Sequence, residues 1–281
     1  MKTIDTLVED ILEVVDGKGG WDSALSDFLA DRISKTLESR LNAGPRTNTL
    51  RMSNLGSPCT RKLWFSINTP EVGEPLSPET KLKFLYGDIL EDLLLSLAEA
   101  AGHTVEGTQD EMEIRGIKGH RDAVIDGVTV DVKSASSYSF QKFSNHTLDL
   151  DDPFGYISQL SSYVFAAKGD PLVKDKKGGA FLVMDKTLGK LCLDYHNLEG
   201  YIKDKEKEVE DIKNAVASDS LPPRGYEDIP DGKSGNKRLA VGCSYCAFKQ
   251  ACWPDLKTYA YANGPKFLTK VVKEPRVEEI K

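Results

Sequence analysis

The stretch GHRDAVIDGVTVDVKSAS, residues 119–136, organises the reading of this chain. Asp126-Gly127 is a two-residue hairpin signal, because a type I′ turn needs φ > 0 at both central positions. The runs on either side, 119–125 and 128–134, are rich in β-branched residues and predict two strands. With Asp126 and Gly127 at the turn, Ile125 pairs with Val128. Counting outward places Asp122 opposite Asp131 and His120 opposite Lys133. Opposed residues share a face, with Cβ atoms about 4.5–5.5 Å apart. Asp131 and Lys133, two apart on one strand, share that face as well. Two carboxylates and a lysine therefore converge.

Opposed like charges destabilise a hairpin, so this arrangement calls for a cation. Carboxylate oxygens suit hard cations such as Mg²⁺ or Mn²⁺. Lys133 would stabilise developing negative charge or help activate a water. Together these parts suit metal-assisted phosphodiester hydrolysis. The same spacing also fits a solvent-exposed hairpin face with scattered charges, and His120 is assigned no role.

Working outward, Ser77-Pro78 opens a predicted helix that runs to about Ala101 and stops at Gly102. Its apolar stripe is read as Leu82, Leu85, Ile89, Leu93 and Leu97, with Glu91 at the margin. Gly87 lies one turn before Glu91, where a missing side chain leaves room beside it. After the hairpin, a helix over 154–167 places Gln159 and Tyr163 on one face. Glu91 also fits a plain solvated acid in an acid-rich helix, and the Gln159–Tyr163 pair an ordinary amphipathic helix edge. GAFLVMD and KLCLDYH read as two more strands, and 197–217 as a charged helix. Upstream, 3–16 and 22–42 read as helices and 66–78 as a linker. A short helix opens near Ser57-Pro58. The order of helix, strands, helix, strands, helix predicts an α/β class with a mixed sheet. Expected boundaries are a helical N-terminal extension at 1–48, one domain at 49–255 with its core at about 78–217, and a polar tail at 256–281. A cysteine segment occupies 240–255.

The chain has 281 residues, 40% hydrophobic and 29% charged, ordinary values for a globular protein. No run of about 18 apolar residues marks a membrane span. The acidic, amphipathic start lacks the form of a signal peptide, so a cytoplasmic location is expected. Net charge is −7, but nucleic-acid binding depends on local patches. From Arg32 to Lys62 the only acid is Glu38, against Arg32, Lys35, Arg40, Arg46, Arg51, Arg61 and Lys62. This stretch reads as a phosphate-tracking surface or as a solvated helix face. Five cysteines, an odd number, argue against a disulfide framework.

In order and spacing these pieces resemble the RecB-like branch of the PD-(D/E)XK nucleases. Glu91 in GDILEDLL sits where that family carries a helix-borne His or Glu. Asp122 in GHRD matches its metal-binding aspartate. Asp131 and Lys133 in VDVK match the (D/E)xK signature, and Gln159 and Tyr163 in QLSSY match QxxxY. Cys59, far upstream of Cys243-x-x-Cys246 and Cys252, resembles the iron–sulfur nucleases, among them the CRISPR-associated exonucleases and AddAB nuclease subunits. There, four cysteines hold a 4Fe–4S cluster; zinc also suits four thiolates.

The resemblance implies a restriction-endonuclease-like core with a mixed central sheet flanked by helices, plus helical N-terminal and Cys-rich C-terminal elements. It implies a Mg²⁺- or Mn²⁺-dependent DNA exonuclease in which Glu91, Asp122 and Asp131 bind metal and Lys133 is catalytic. Gln159 and Tyr163 would position a strand, and Arg46, Arg51, Arg61 and Lys62 would grip phosphates. The implied partners are single-stranded DNA or DNA ends and a helicase or recombination protein, with no membrane. An endonuclease or nickase, or a non-catalytic DNA-binding or redox-sensing iron–sulfur protein, would carry the same residues. Cys192 reads as a free buried thiol.

Overall fold

The Asp-Gly turn forms as expected. In the computed structural model Asp126 and Gly127 have φ of 52° and 87°, and Ile125 pairs with Val128. A Cβ on Gly127 would lie 2.8 Å from the Lys174 side chain, so space as well as φ demands glycine. The structure describes residues 2–42, 44 and 48–280.

In chain order the helices are α1 (Leu7–Val15), α2 (Ser23–Leu41), α3 (Met52–Leu55), α4 (Thr60–Asn68), α5 (Pro78–Ala100), α6 (Ser137–Ser144), α7 (Tyr156–Ala166), α8 (Glu199–Ile202), α9 (Lys205–Ala217), α10 (Val241–Ser244) and α11 (Lys249–Cys252). The strands are β1 (Val105–Glu106), β2 (Glu111–Ile114), β3 (Ile117–His120), β4 (Ala123–Ile125), β5 (Val128–Ala135), β6 (Gly178–Asp185), β7 (Leu191–Asn197), β8 (Ile229–Pro230), β9 (Lys237–Arg238), β10 (Lys257–Tyr261), β11 (Gly264–Lys270) and β12 (Glu279–Ile280). They fall into two units, Met1–Gly56 with Ser77–Glu210 and Ser57–Leu76 with Asp211–Lys281.

The first unit is α/β. Its five-stranded sheet runs β1-β4-β5-β6-β7, antiparallel except for the parallel pair β5–β6. A parallel pair needs a long crossover, and α6 and α7 lie within it. On one face Leu7 and Ile11 of α1 and Leu94, Leu95 and Ala98 of α5 pack against Ile125, Val130, Val132 and Leu182. On the other, Phe140 and Phe143 of α6 and Ile157, Leu160 and Val164 of α7 cover Phe181 and Val183. Asp131 pairs with Phe181 and Lys133 with Val183, so both point toward the α6–α7 side. Local caps fix where helices begin. Ser77 accepts from the Thr80 N–H, with Pro78 next, and Ser136 accepts from the Ser139 N–H to turn β5 into α6.

Several expectations are corrected. The strand expected over 119–125 is divided. Ile117–His120 pairs with β2, putting His120 opposite Glu111 and not Lys133, and only Ala123–Ile125 joins the central sheet. The cause is Arg121, whose buried guanidinium bonds Gly107 O, Asp110 and Asp170 while its N–H donates to Asp110 O, drawing the chain out of the ladder. In α5 the buried face is Leu90, Leu94, Leu95 and Ala98, and Leu82 is exposed. The core-facing stripe follows the sheet that α5 covers, and a helix this apolar offers two stripes. The charged helix expected over 197–217 is two helices, α8 and α9.

In the second unit, the residues expected as a polar tail form β10, β11 and β12. They join an antiparallel sheet of order β12-β10-β11-β9-β8. Tyr259 and Leu268 are buried in it, which is why the segment is ordered as sheet. Phe65 of α4 stacks on Phe248 with centroids 5.5 Å apart.

Helix α1 was expected as part of an N-terminal extension, but Leu7 and Ile11 are fully buried in the core. Ile11→Ala should cost about 2–5 kcal/mol of stability, measured by urea unfolding. A loss below about 1 kcal/mol would mean α1 is dispensable to the core.

Candidate functional site

The site grows from β5. Asp131 is buried and its Oδ2 meets the Lys133 ammonium as an ion pair, yet that oxygen accepts no aligned hydrogen bond. Asp122 lies one residue outside β4, and its Oδ2 accepts from the Val132 N–H at 2.7 Å. This holds its carboxylate against β5, as the hairpin register requires. From α5, Glu91 accepts at Oε1 from Gln109 Nε2 at 2.7 Å. A Cβ on Gly87 would lie 3.4 Å from Ser134 Oγ, so the helix lies close to β5 one turn before Glu91.

The electrostatics follow from burying acids together. Burial, and then the Asp131 and Glu91 charges, push Asp122 well above the usual carboxylate range. Burial raises Glu91 to about 7, with Asp131 adding to the shift and the Gln109 bond opposing it. Burial alone would lower the pKa of Lys133, but Asp131 and Asp122 outweigh it and hold the ammonium charged. From α7, Tyr163 is raised by burial and by Asp131 and Asp122, and Gln159 hydrogen-bonds it. The structure therefore brings Glu91, Asp122, Asp131 and Lys133 into one electrostatic group, with Tyr163 beside Asp131 and Asp122 and Gln159 hydrogen-bonded to Tyr163.

Two further residues belong to the set. Tyr156 lies one turn before Gln159 on α7, with its ring centroid 5.4 Å from Lys133 Nζ. Helical spacing from Gln159 could have pointed to it. Gln109 sits in a loop at φ 58°, and its N–H reaches the Arg121 and Asp122 carbonyls. No motif marks it, because only the Arg121 network brings that loop to Glu91.

The basic stretch is placed differently from expectation. Arg32 Nε lies 2.9 Å from Asp92, which also accepts from Thr36, and Arg40 grips Asp88 with two bonds at 2.6 and 2.8 Å. Lys35 pairs with Asp31. Much of that charge joins α2 to α5. Arg61 Nε donates to Pro222 O and its guanidinium lies 3.7 Å from Cys252 Sγ, so it is committed within its own unit. Arg51 and Lys62 are exposed, and Arg46 lies outside the described residues.

All five cysteines are free thiols. Cys59, Cys243, Cys246 and Cys252 line one pocket of the second unit, walled by Phe65, Phe248 and Trp253. Cys59 caps α4, and a Cβ on Gly225 would fall 2.8 Å from its Cα and Cβ, so this chain crossing admits only glycine. Burial, and then the sulfurs of Cys246, Cys59 and Cys252, push the Cys243 thiol to about 12. The buried Trp253 indole N–H lies beside Cys243 without an aligned partner. Cys192 is half-buried on β7, apart from this group. As the side chains stand, no three His, Cys, Asp or Glu among the described residues are placed to hold a metal ion. Among the described residues no helix is long and apolar enough to cross a membrane.

No protein-family model matches the chain, and no curated protein matches it. Among solved structures it is similar to one described as the crystal structure of SSO0001. The identity is 19% and the TM-score 0.43, over 81% of this chain and 95% of that one.

Glu91 and Asp122 both ionise later in the folded chain than in the unfolded one. Their stabilising contribution is full below the ordinary carboxylate pKa and is lost as pH rises, for Glu91 through about 7. In EDTA, unfolding should therefore become easier between about pH 5 and 8. Glu91→Gln should flatten that dependence. An unchanged slope in the variant would refute the assignment.

Proposed function

We propose that this chain is a metal-dependent deoxyribonuclease of the RecB-like type, with a PD-(D/E)XK core and a 4Fe–4S cluster on its four grouped cysteines. The observation that carries the reading is the convergence of Glu91, Asp122 and Asp131 around one lysine on a buried strand. A solvated hairpin face would not bury Asp131 or half-bury Glu91 and Asp122. The mixed sheet with a parallel β5–β6 pair, α5 before it and α7 within its crossover, supports the same reading.

The donor chemistry fits a hard cation. The acidic donors are all oxygen, Asp131 Oδ2 has no aligned hydrogen bond beyond its Lys133 ion pair, Asp131 raises the proton affinity of Glu91, and Asp131 and Glu91 raise that of Asp122. Glu91, Asp122 and Asp131 would hold Mg²⁺ or Mn²⁺, which supplies a nucleophile at neutral pH and neutralises phosphate charge. Lys133, kept charged by the acids around it, stabilises negative charge growing on the phosphate. The Tyr156 ring limits where that ammonium can move. Gln109 fixes the Glu91 carboxylate, and the Gln159–Tyr163 pair offers polar groups to orient a strand.

For the second unit, four thiols on one pocket, walled by aromatics and closed around Gly225, suit four-thiolate ligation. Ligation to a cationic group would offset the burial, and then the neighbouring sulfur charges, that keep Cys243 protonated.

The test is digestion of end-labelled single- and double-stranded linear DNA with Mg²⁺, Mn²⁺ or EDTA. Wild type should remove nucleotides from ends only with metal, and Asp131→Ala should be inactive. Lys133→Ala should lose about 10²–10³-fold in rate with the fold intact. Cleavage of circular DNA would make it an endonuclease, and well-folded wild type that cuts nothing would sink the reading. Separately, anaerobically purified protein should be brown, and Cys246→Ala should lose both iron and thermal stability. A colourless protein holding zinc would replace the cluster by a zinc site.

A further inference from the structure

The second unit carries an open cavity of about 270 Å³ at the end of the β10–β11 hairpin. Tyr261 pairs with Gly264 across a two-residue loop, so Asn263 stands at the rim and Lys266 lies two residues into β11. Arg238 enters from β9 and Ser244 from the end of α10. Phe267 completes an apolar wall.

The chemistry of this lining is mixed in a specific way. Lys266 Nζ lies 4.4 Å from the Tyr261 ring centroid. Asp231 Oδ1 lies 3.0 Å from Lys266 Nζ and 3.8 Å from Arg238 Nε. One carboxylate shared by two cations leaves a net positive charge and orients both. Among the described residues no acid lines the cavity itself. Tyr261 offers a π-face, Asn263 an amide and Ser244 a hydroxyl, while Arg238, which pairs with Leu268 and so shares the Lys266 face of the hairpin, presents a planar donor fork suited to phosphate. The volume lies just below the roughly 300–1,000 Å³ of drug-sized ligand pockets. It admits one flat ring and its charged appendage and excludes a duplex.

We propose that this cavity binds a nucleoside phosphate, with the base against Tyr261 and the phosphate on Arg238 and Lys266. The ligand is either a free nucleotide or one unit of a single strand. The proposal stands on the second unit alone and does not require the nuclease reading.

The test uses the full chain in EDTA, so that nothing is cleaved. Calorimetry with thymidine monophosphate and fluorescence anisotropy with a labelled oligothymidylate read the two sources. Both should bind, more weakly as salt rises. Arg238→Ala and Lys266→Ala should each weaken binding about tenfold or more. Asn263→Asp, at an exposed turn where the fold is not at risk, should do the same by repelling phosphate. Lys257→Ala, paired with Glu279 on the same sheet, should change nothing. Mononucleotide binding without strand binding would assign a free nucleotide. Failure of both, or binding that ignores all three cavity variants, overturns the proposal. Cleavage is scored separately in Mg²⁺, so loss of cleavage and loss of this site are read apart.

Discussion

Strand β5 is buried on both faces and still carries Asp131 and Lys133 in its middle. A charge in such a place is costly unless paired, and much of the first unit serves to meet that demand. The Lys133 ammonium stands against Asp131, and Asp122 is held by the β5 backbone itself. Glu91 arrives from α5 and Tyr163 from α7. The parallel β5–β6 pair makes this possible, because its crossover brings α7 back over the same face of the sheet. Three acids beside one lysine leave an excess of negative charge, and the raised proton affinities of Glu91 and Asp122 register it. A polar cluster that is only partly compensated is a costly feature for stability and a useful one for binding a cation.

Arg121 is the second buried charge, and it acts on backbone geometry. Its guanidinium satisfies Gly107 O, Asp110 and Asp170, locking the loop that presents Gln109. Gln109 itself bonds Glu91 through its side chain and the Arg121 and Asp122 carbonyls through its N–H. Two metal-ligand candidates are thus fixed by one arginine whose guanidinium bonds neither carboxylate. The interruption it imposes between β3 and β4 frees Asp122 from ladder pairing, and its side chain can then turn to the Val132 N–H.

In the second unit the thiols come from both of its chain segments, Cys59 from one and Cys243, Cys246 and Cys252 from the other. The aromatic packing of Phe65 on Phe248 and the crossing of Gly225 over Cys59 bring those segments together. Arg61, bonded to Pro222 O, fastens the same junction. Residues that read as charge in the sequence therefore act as fasteners here, as Arg32 and Arg40 do between α2 and α5.

Local rules made part of this protein legible from its sequence. The Asp126-Gly127 turn set the register that faces Asp122 toward Asp131, and Ser77-Pro78 marked the start of α5. Helical spacing put Gln159 and Tyr163 on one face. Each depends only on neighbours within a turn or a hairpin. Burial and long-range pairing decided the rest. Which stripe of α5 faces the core, where His120 points, the strands beyond 256 and the inward turn of Arg61 all depend on packing between separate elements or on a single buried side chain. Sequence alone determined the hairpin register and the residues able to do chemistry. Only the tertiary structure decided that those residues are drawn together and partly out of solvent around Lys133, because desolvation and charge crowding exist only once distant segments have closed over them.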